Sequence, residues 1–333
     1  METLLLSTGP KDMQLAADII TAGGLVAFPT ETVYGLGGDA LNPLAASLIY
    51  EAKGRPADNP LIVHIADVGL VQELASNLDA SFYALAHRYW PGPLTMVVSK
   101  KQIVPGETTG GLPTVALRMP DHPTALALIR LSGTPIAAPS ANLSGKPSPT
   151  RWEHVEHDLA GRIDAIITGG PSTGGIESTV LDLTGQTPVV LRPGLISPQD
   201  IESVLGMPVS YDPALFDDRE RDILPKAPGM KYRHYAPAAE MIVFRGSPQA
   251  TARAIEARRV QEEQAGRSVG ILVYSGTENR LIAREFFAKL RAMDETGIDL
   301  ILATAVSEDD PIGFSIMNRM LKAAGYRIEE VAT

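Results

Sequence analysis

At roughly 150 residues per domain, 333 residues make about two domains, and 44% hydrophobic with 20% charged content is the composition of an ordinary folded protein. The absence of cysteine excludes disulfides, thiolate catalysis and every Cys-ligated zinc or iron–sulfur site. A formal charge of −10 argues against a dedicated nucleic-acid binder, and the first 190 residues are acidic themselves, with 11 basic against 18 acidic side chains.

Residues 11–22 have helical spacing, with Leu15, Ile19 and Ile20 on one face, and Gly23-Gly24 stops the helix. LVAFP (25–29) is expected to be a short buried strand, followed by a glycine-rich loop, PTETVYGLGGDA. A helix over 43–53 ends at Lys53-Gly54, and LIVHIA (61–66) gives a strong strand signal. Helices near 67–75 and 79–89 lead to the turn Trp90-Pro91-Gly92-Pro93 and the strand 94–99. Further strands are expected at 114–120, 134–140, 164–170, 178–183 and 188–194, with helices near 122–131 and 151–160. Alternating strands and helices predict an α/β fold with some antiparallel pairs in a twisted, mixed sheet.

Residues 196–237 read as a linker that begins with a short Ser197-capped helix and ends in KAPGMKYRHYAP. From 238 a smaller unit follows in βαβαβα order: strands at 241–244, 269–274 and 298–303, helices at 248–264, 281–293 and 312–324. That order predicts a parallel, Rossmann-like sheet. The N-terminus has no basic start to an apolar run, and no stretch nears the ~18 apolar residues of a membrane span. The expectation is a soluble, cytoplasmic protein without membrane contact.

Common catalytic signatures are missing or misplaced. Gly145-Lys146-Pro147-Ser148 has proline where a phosphate-binding loop needs its helix-opening Ser or Thr, and no G-x-S-x-G elbow occurs. Gly35 to Ala40 spells a dinucleotide-type glycine pattern, but Thr30 to Tyr34 separate it from the preceding strand. His154 and His157, beside Glu153 and Glu156, read as a solvated helix face, so no resident metal is expected. What remains is a polar set at strand ends: Thr30, Thr32, Lys53, Arg55, His64, Arg118, Ser140, Asn142, Ser178 and Arg192. Four cations converging beyond the strand ends of an α/β sheet would suit a phosphate-rich ligand and a carboxylate.

These residues lie in FPTETVYGLG (28–37), KGRPADNPL (53–61), RMPDHP (118–123), APSANLSGKPSPT (138–150) and ESTV (177–180). In that order they resemble the YrdC-domain threonylcarbamoyl-AMP synthases, whose K-x-R and S-x-N signature matches Lys53, Arg55, Ser140 and Asn142. APGMKYRHYAP (227–237) is similar to the linker of the long form, which carries a second, Rossmann-like domain; the likeness weakens after 240. Ala57 and Ala138 are small departures from the family pattern, and neither removes a charge.

The resemblance implies a YrdC-like catalytic domain over 1–195, a linker with a lid segment over 196–237, and a Rossmann-like domain over 238–333. It implies synthesis of L-threonylcarbamoyl-AMP from L-threonine, bicarbonate or CO2, and ATP carrying Mg2+, with release of pyrophosphate. The product would pass to a tRNA threonylcarbamoyl transferase, which modifies the adenosine next to the anticodon. The implied threonine site is Thr32, His64, Arg118, the backbone of Ala138, and Ser178. Arg55, Asn59, Thr114, Ser140, Asn142, Ser148, Arg192 and Tyr235 would hold ATP, with Lys53 and Arg55 the catalytic cations on its phosphates.

Lys53 and Arg55 are expected at the cleft, so their loss should leave thermal stability nearly unchanged. The lid expectation rests on Lys231, Tyr232, Arg233, His234 and Tyr235: they would close over a water-sensitive anhydride, and cutting after residue 195 would weaken synthesis. An RNA-binding module using the same cleft, with weak RNA contact, is the alternative reading. The hydrogenase-maturation carbamoyltransferases, a third class, carry zinc-finger cysteines and an acylphosphatase domain that this chain lacks.

Overall fold

The computed structural model describes residues 2–216, 235–274, 276 and 278–332. Their contacts divide them into two units: residues up to 216 without 145–147, and residues 145–147 together with those from 235 onward. Lys231, Tyr232, Arg233 and His234 of the expected lid lie outside the described residues.

The first unit is built on a mixed sheet. Its strands run in the order Leu4–Leu6, Ala165–Ile167, Val26–Phe28, Gly35–Asp39, Ile136–Ala137, Ile62–His64, Thr114–Arg118, Leu94–Lys100, Thr179–Asp182, Val189–Arg192 and Ser210–Tyr211. Three of these were not expected from sequence: Leu4–Leu6, Gly35–Asp39 and Ser210–Tyr211. Leu4–Leu6 is too short to announce itself and is held by parallel pairing with Ala165–Ile167. Gly35–Asp39, read as loop because of its glycines, is a strand antiparallel to Val26–Phe28. Glycine is needed there by close packing: a Cβ on Gly37 would lie 2.8 Å from both Ile136 and Phe28 side-chain atoms.

The helix Pro10–Thr21 starts with proline in its first turn and buries Met13, Ala16, Ala17 and Ile20. Leu15, expected on the buried face, is 42% exposed, because the buried stripe runs through Met13, Ala16, Ala17 and Ile20 at helical spacing and Leu15 falls beside it. The segment after 195 is ordered up to Phe216. Ser197 and Asp200 form a capping box on the helix Pro198–Leu205, and Ser210–Tyr211 adds a parallel edge strand to Val189–Arg192. Those residues belong to the first unit.

The second unit has four parallel strands, in the order Val269–Leu272, Leu300–Thr304, Glu240–Arg245 and Ile328–Glu330. Helices Pro248–Gln264, Asn279–Glu295 and Pro311–Ala323 connect them. The fourth strand escaped the sequence reading because IEE offers one apolar residue among two charges. Among the described residues, no helix is long and apolar enough to cross a membrane.

Candidate functional site

Strand register gathers the polar residues on one face of the first sheet. Ile62 pairs with Ala116, His64 with Arg118, Val97 with Ala116, and Thr95 with Val180. Paired residues share a face and side chains alternate along a strand, so His64, Thr95, Thr114, Arg118 and Ser178 point the same way. A small apolar floor of Ile62, Val97, Ala116, Val180 and Leu191 lies between them.

At the carboxyl end of Ile62–His64, Arg118 is 4% exposed and makes three contacts. It donates to the Gly92 carbonyl (3.3 Å) and to Thr32 Oγ1 (2.9 Å), and its Nη2 stands 2.7 Å from Glu31 Oε1. The ion pair is close but poorly aligned: neither buried Glu31 oxygen accepts a well-formed hydrogen bond among the described residues. Thr32 also shares a 3.0 Å hydrogen bond with Thr30. Backbone bonds from Gly174 and Gly175 to the carbonyls of Glu31 and Thr32 fix this loop.

Ser178 joins the same cluster through a 2.8 Å bond with Thr95. Arg192, assigned by resemblance to ATP, donates to the Ser178 carbonyl and to its hydroxyl, both at 3.0 Å, and so sits with the threonine residues. The N–H of Ala138 bonds to the Ile62 carbonyl, which leaves its own carbonyl for any substrate contact by backbone.

His64 is buried in the sheet, its Nδ1 3.2 Å from the Ile62 carbonyl and its ring edge-on to Phe28. Burial first, and then the positive charge of Arg118, push its pKa down to about 3, so the imidazole is neutral. The unfolded chain takes up this proton near pH 6.5 and the folded one only near pH 3, so His64 contributes stability above pH 6.5 that is lost as pH falls. Between pH 6.5 and pH 4 the unfolding free energy is expected to drop by up to ~1.4 kcal/mol per pH unit from this group. Urea titrations across that range should show a flatter pH dependence for His64→Gln. An unchanged slope would contradict the assignment.

Toward the other end of the strand lies the second cluster. Lys53 ends the helix Pro43–Lys53, and Gly54 caps it in the left-handed conformation at φ 60°, a turn that brings both Lys53 and Arg55 inward. Lys53 is 2% exposed, and its Nζ donates to the carbonyls of Ser140 and Asn142. Arg55, 9% exposed, donates from Nε to the Asn59 carbonyl (3.2 Å) and from Nη2 to the Pro60 carbonyl (3.1 Å). The expectation that neither cation matters for stability is therefore corrected: both are buried and tie loop carbonyls together.

Ser140 donates to Asn142 Oδ1 at 2.6 Å, so Asn142 orients the Ser140 hydroxyl. Buried Asn59 Oδ1 has no hydrogen-bond partner among the described residues. Extending the register of Ile62 with Ala116 by two residues sets Thr114 level with Pro60, on the side of Arg55.

Ser148 donates to Glu177 Oε1 in a short hydrogen bond, next in sequence to Ser178. Glu31, Thr95 and Glu177 are site residues that the sequence reading passed over. Two of the three lie inside its own motifs, but nothing in their spacing told them from solvated carboxylates. Tyr235, assigned to ATP by resemblance, belongs to the second unit, where its ring stacks on Phe287 at 5.3 Å and lies 5.9 Å from the Arg319 guanidinium. His154 accepts the Thr150 N–H, and no group of three or more His, Asp or Glu able to hold a metal occurs among the described residues.

A family model described as "Telomere recombination" matches residues 18–194, and one described as "Threonylcarbamoyl-AMP synthase, C-terminal domain" matches residues 196–325. The chain is 50% identical over 329 residues to a threonylcarbamoyl-AMP synthase of Pyrococcus abyssi, covering 96% of each protein. It is 47% identical to the threonylcarbamoyl-AMP synthase of Bacillus subtilis, covering 97% of this chain and 96% of that protein. A crystal structure of a Pyrococcus abyssi protein complexed with L-threonine superposes with a TM-score of 0.95 at 48% identity, over 99% of this chain and 100% of that one. Matched along both halves at this identity, the chain belongs to the family of threonylcarbamoyl-AMP synthases.

Proposed function

We infer that this chain makes L-threonylcarbamoyl-AMP from L-threonine, bicarbonate or CO2, and ATP, releasing pyrophosphate for the first step of threonylcarbamoyladenosine formation in tRNA. The observation that carries this reading is the pair of polar clusters at the two ends of the strand Ile62–His64. Arg118 with Thr32, His64 and Ser178 stands at one end, and Lys53, Arg55, Asn59 and Ser140 stand toward the other.

Arg118 takes the threonine carboxylate, joining or displacing Glu31, and the unsatisfied Glu31 oxygens accept from the amino group. The two side chains together recognise a zwitterion. Neutral His64 offers a hydrogen-bonding edge whose charge does not change over the working pH range. The amine adds to the carbon of CO2, losing a proton and forming a carbamate. A carbamate oxygen attacks the α-phosphorus of ATP, the bond to the β-phosphate breaks, and pyrophosphate leaves.

No protein nucleophile is needed; the chain supplies position and positive charge. Lys53 and Arg55 exchange carbonyl contacts for phosphate oxygens, while Asn59 Oδ1 is an open acceptor for an exocyclic amino group such as that of adenine. Magnesium enters with ATP as part of the substrate and neutralises phosphate charge; with no protein cluster of three ligands described, phosphate oxygens and water would hold most of it. The product is then used by a separate tRNA-modifying transferase.

The test is pyrophosphate release with ATP, threonine and bicarbonate present, each then omitted in turn. Release is expected only with all three. Serine, lacking one methyl, should work roughly 10–200-fold less well, and leucine not at all. Equal release without threonine would refute the reading.

A further inference from the structure

The second unit contains a cavity of about 290 Å³ that the reaction above does not use. It opens at the carboxyl ends of the parallel strands Glu240–Arg245, Val269–Leu272 and Leu300–Thr304, with Phe244, Thr251, Ala252, Tyr274, Asn279 and Val306 in its wall. Glu240–Arg245 and Leu300–Thr304 are neighbours, but the chain leaves them in opposite directions across the sheet. With right-handed crossovers, their following helices fall on opposite faces, and the gap between the two loops is the switch point of the fold. Ligands of open α/β sheets bind in that crevice.

Among the described residues the lining is neutral, with no Lys, Arg, His, Asp or Glu. Its polar atoms are hydroxyls, an amide and backbone. Tyr274 is 6% exposed, and its buried hydroxyl has no hydrogen-bond partner among the described residues. Burial raises its pKa, so it stays protonated and remains a donor. A buried donor without an acceptor is unfavourable unless something supplies one. Lys289 Nζ lies 4.9 Å from the centre of the Tyr274 ring but is paired with Glu285 at 2.8 Å. No cation lines the cavity among the described residues, so a phosphate would find no unpaired charge; a long acyl chain would exceed the volume. An apolar ring carrying hydrogen-bond acceptors fits both the size and the lining.

We propose that this crevice binds an uncharged nucleoside or free nucleobase, with Tyr274 donating to a ring or carbonyl acceptor of the ligand. The site is separate from the ATP residues of the first unit and does not rest on the activity assigned to them.

The test uses the full chain with its ATP site saturated by a non-hydrolysable ATP analogue. Equilibrium dialysis is run with labelled adenosine, guanosine, uridine and cytidine, and with free adenine and uracil. At least one is expected to bind at one equivalent. Tyr274→Phe should weaken that binding about tenfold, the effect of one hydrogen bond. Ala252→Trp, at an exposed position of the helix Pro248–Gln264, should fill the crevice and abolish it. Far-ultraviolet circular dichroism and a wild-type thermal unfolding profile of both variants would show that they fold. No binding of any of the six at about 1 mM would overturn the proposal. So would binding that survives unchanged in both variants, since the ligand would then sit elsewhere; where Ala252→Trp does not fold, Tyr274→Phe alone decides.

Discussion

Arg118→Ala is expected to abolish threonine-dependent pyrophosphate release and to destabilise the first unit by about 3–5 kcal/mol. The second effect follows from Glu31, whose side chain is only 13% exposed and would be left as a buried carboxylate without its cation. Adding Glu31→Gln to Arg118→Ala removes that orphan charge, so the double variant should recover much of the stability while synthesis stays lost. The two readouts separate the roles: denaturant unfolding follows the ion pair, and synthesis follows the guanidinium. If the double variant were no more stable than Arg118→Ala, the Glu31 contact would be incidental. Near-normal synthesis by Arg118→Ala would remove this residue from the threonine site.

Lys53→Ala should lower synthesis by at least about a hundredfold, in the range seen when one preorganised donor to developing charge is removed. It should also cost roughly 2–3 kcal/mol of stability, because the Ser140 and Asn142 carbonyls lose a charged donor inside the protein. Circular dichroism at the assay temperature distinguishes a folded, inactive variant from an unfolded one. Lys53→Met keeps most of the apolar stem and should lose activity equally. Wild-type turnover in either variant would show that Lys53 only staples the loop.

Both predictions depend on geometry that lies beyond the motifs. The sequence by itself determined the alternation of strands and helices, the second parallel unit, and the residue types of the site. Pro at helix starts, Gly54 at a helix end and the short apolar runs at 25–29, 61–66 and 94–99 are local signals, and local physics is enough to place them. The K-x-R and S-x-N pairs were legible for the same reason: two functional residues flank one glycine or one small residue.

Pairing between distant strands was not legible. Gly35–Asp39 is a strand because Val26–Phe28 and Ile136–Ala137 lie on either side of it, not because glycine favours extended chain. Leu4–Leu6 and Ile328–Glu330 are likewise held by partners far away in sequence. Register then decided which side chains share a face, and a slip of one residue would have turned Arg118 away from Thr95 and His64.

Tertiary structure also decided the partners. Glu31 and Glu177 look like two more acidic residues in an acidic chain until Arg118 and Ser148 are placed against them. Arg192 moved from the nucleotide residues to the Ser178 cluster because two antiparallel strands bring positions 178 and 192 together. Tyr274 is unremarkable in sequence, at the end of an apolar run. Only the crossing of the chain at the switch point places it in a cavity wall with its hydroxyl lacking a partner among the described residues, because a cavity arises from connections between elements rather than from the residues of any one of them.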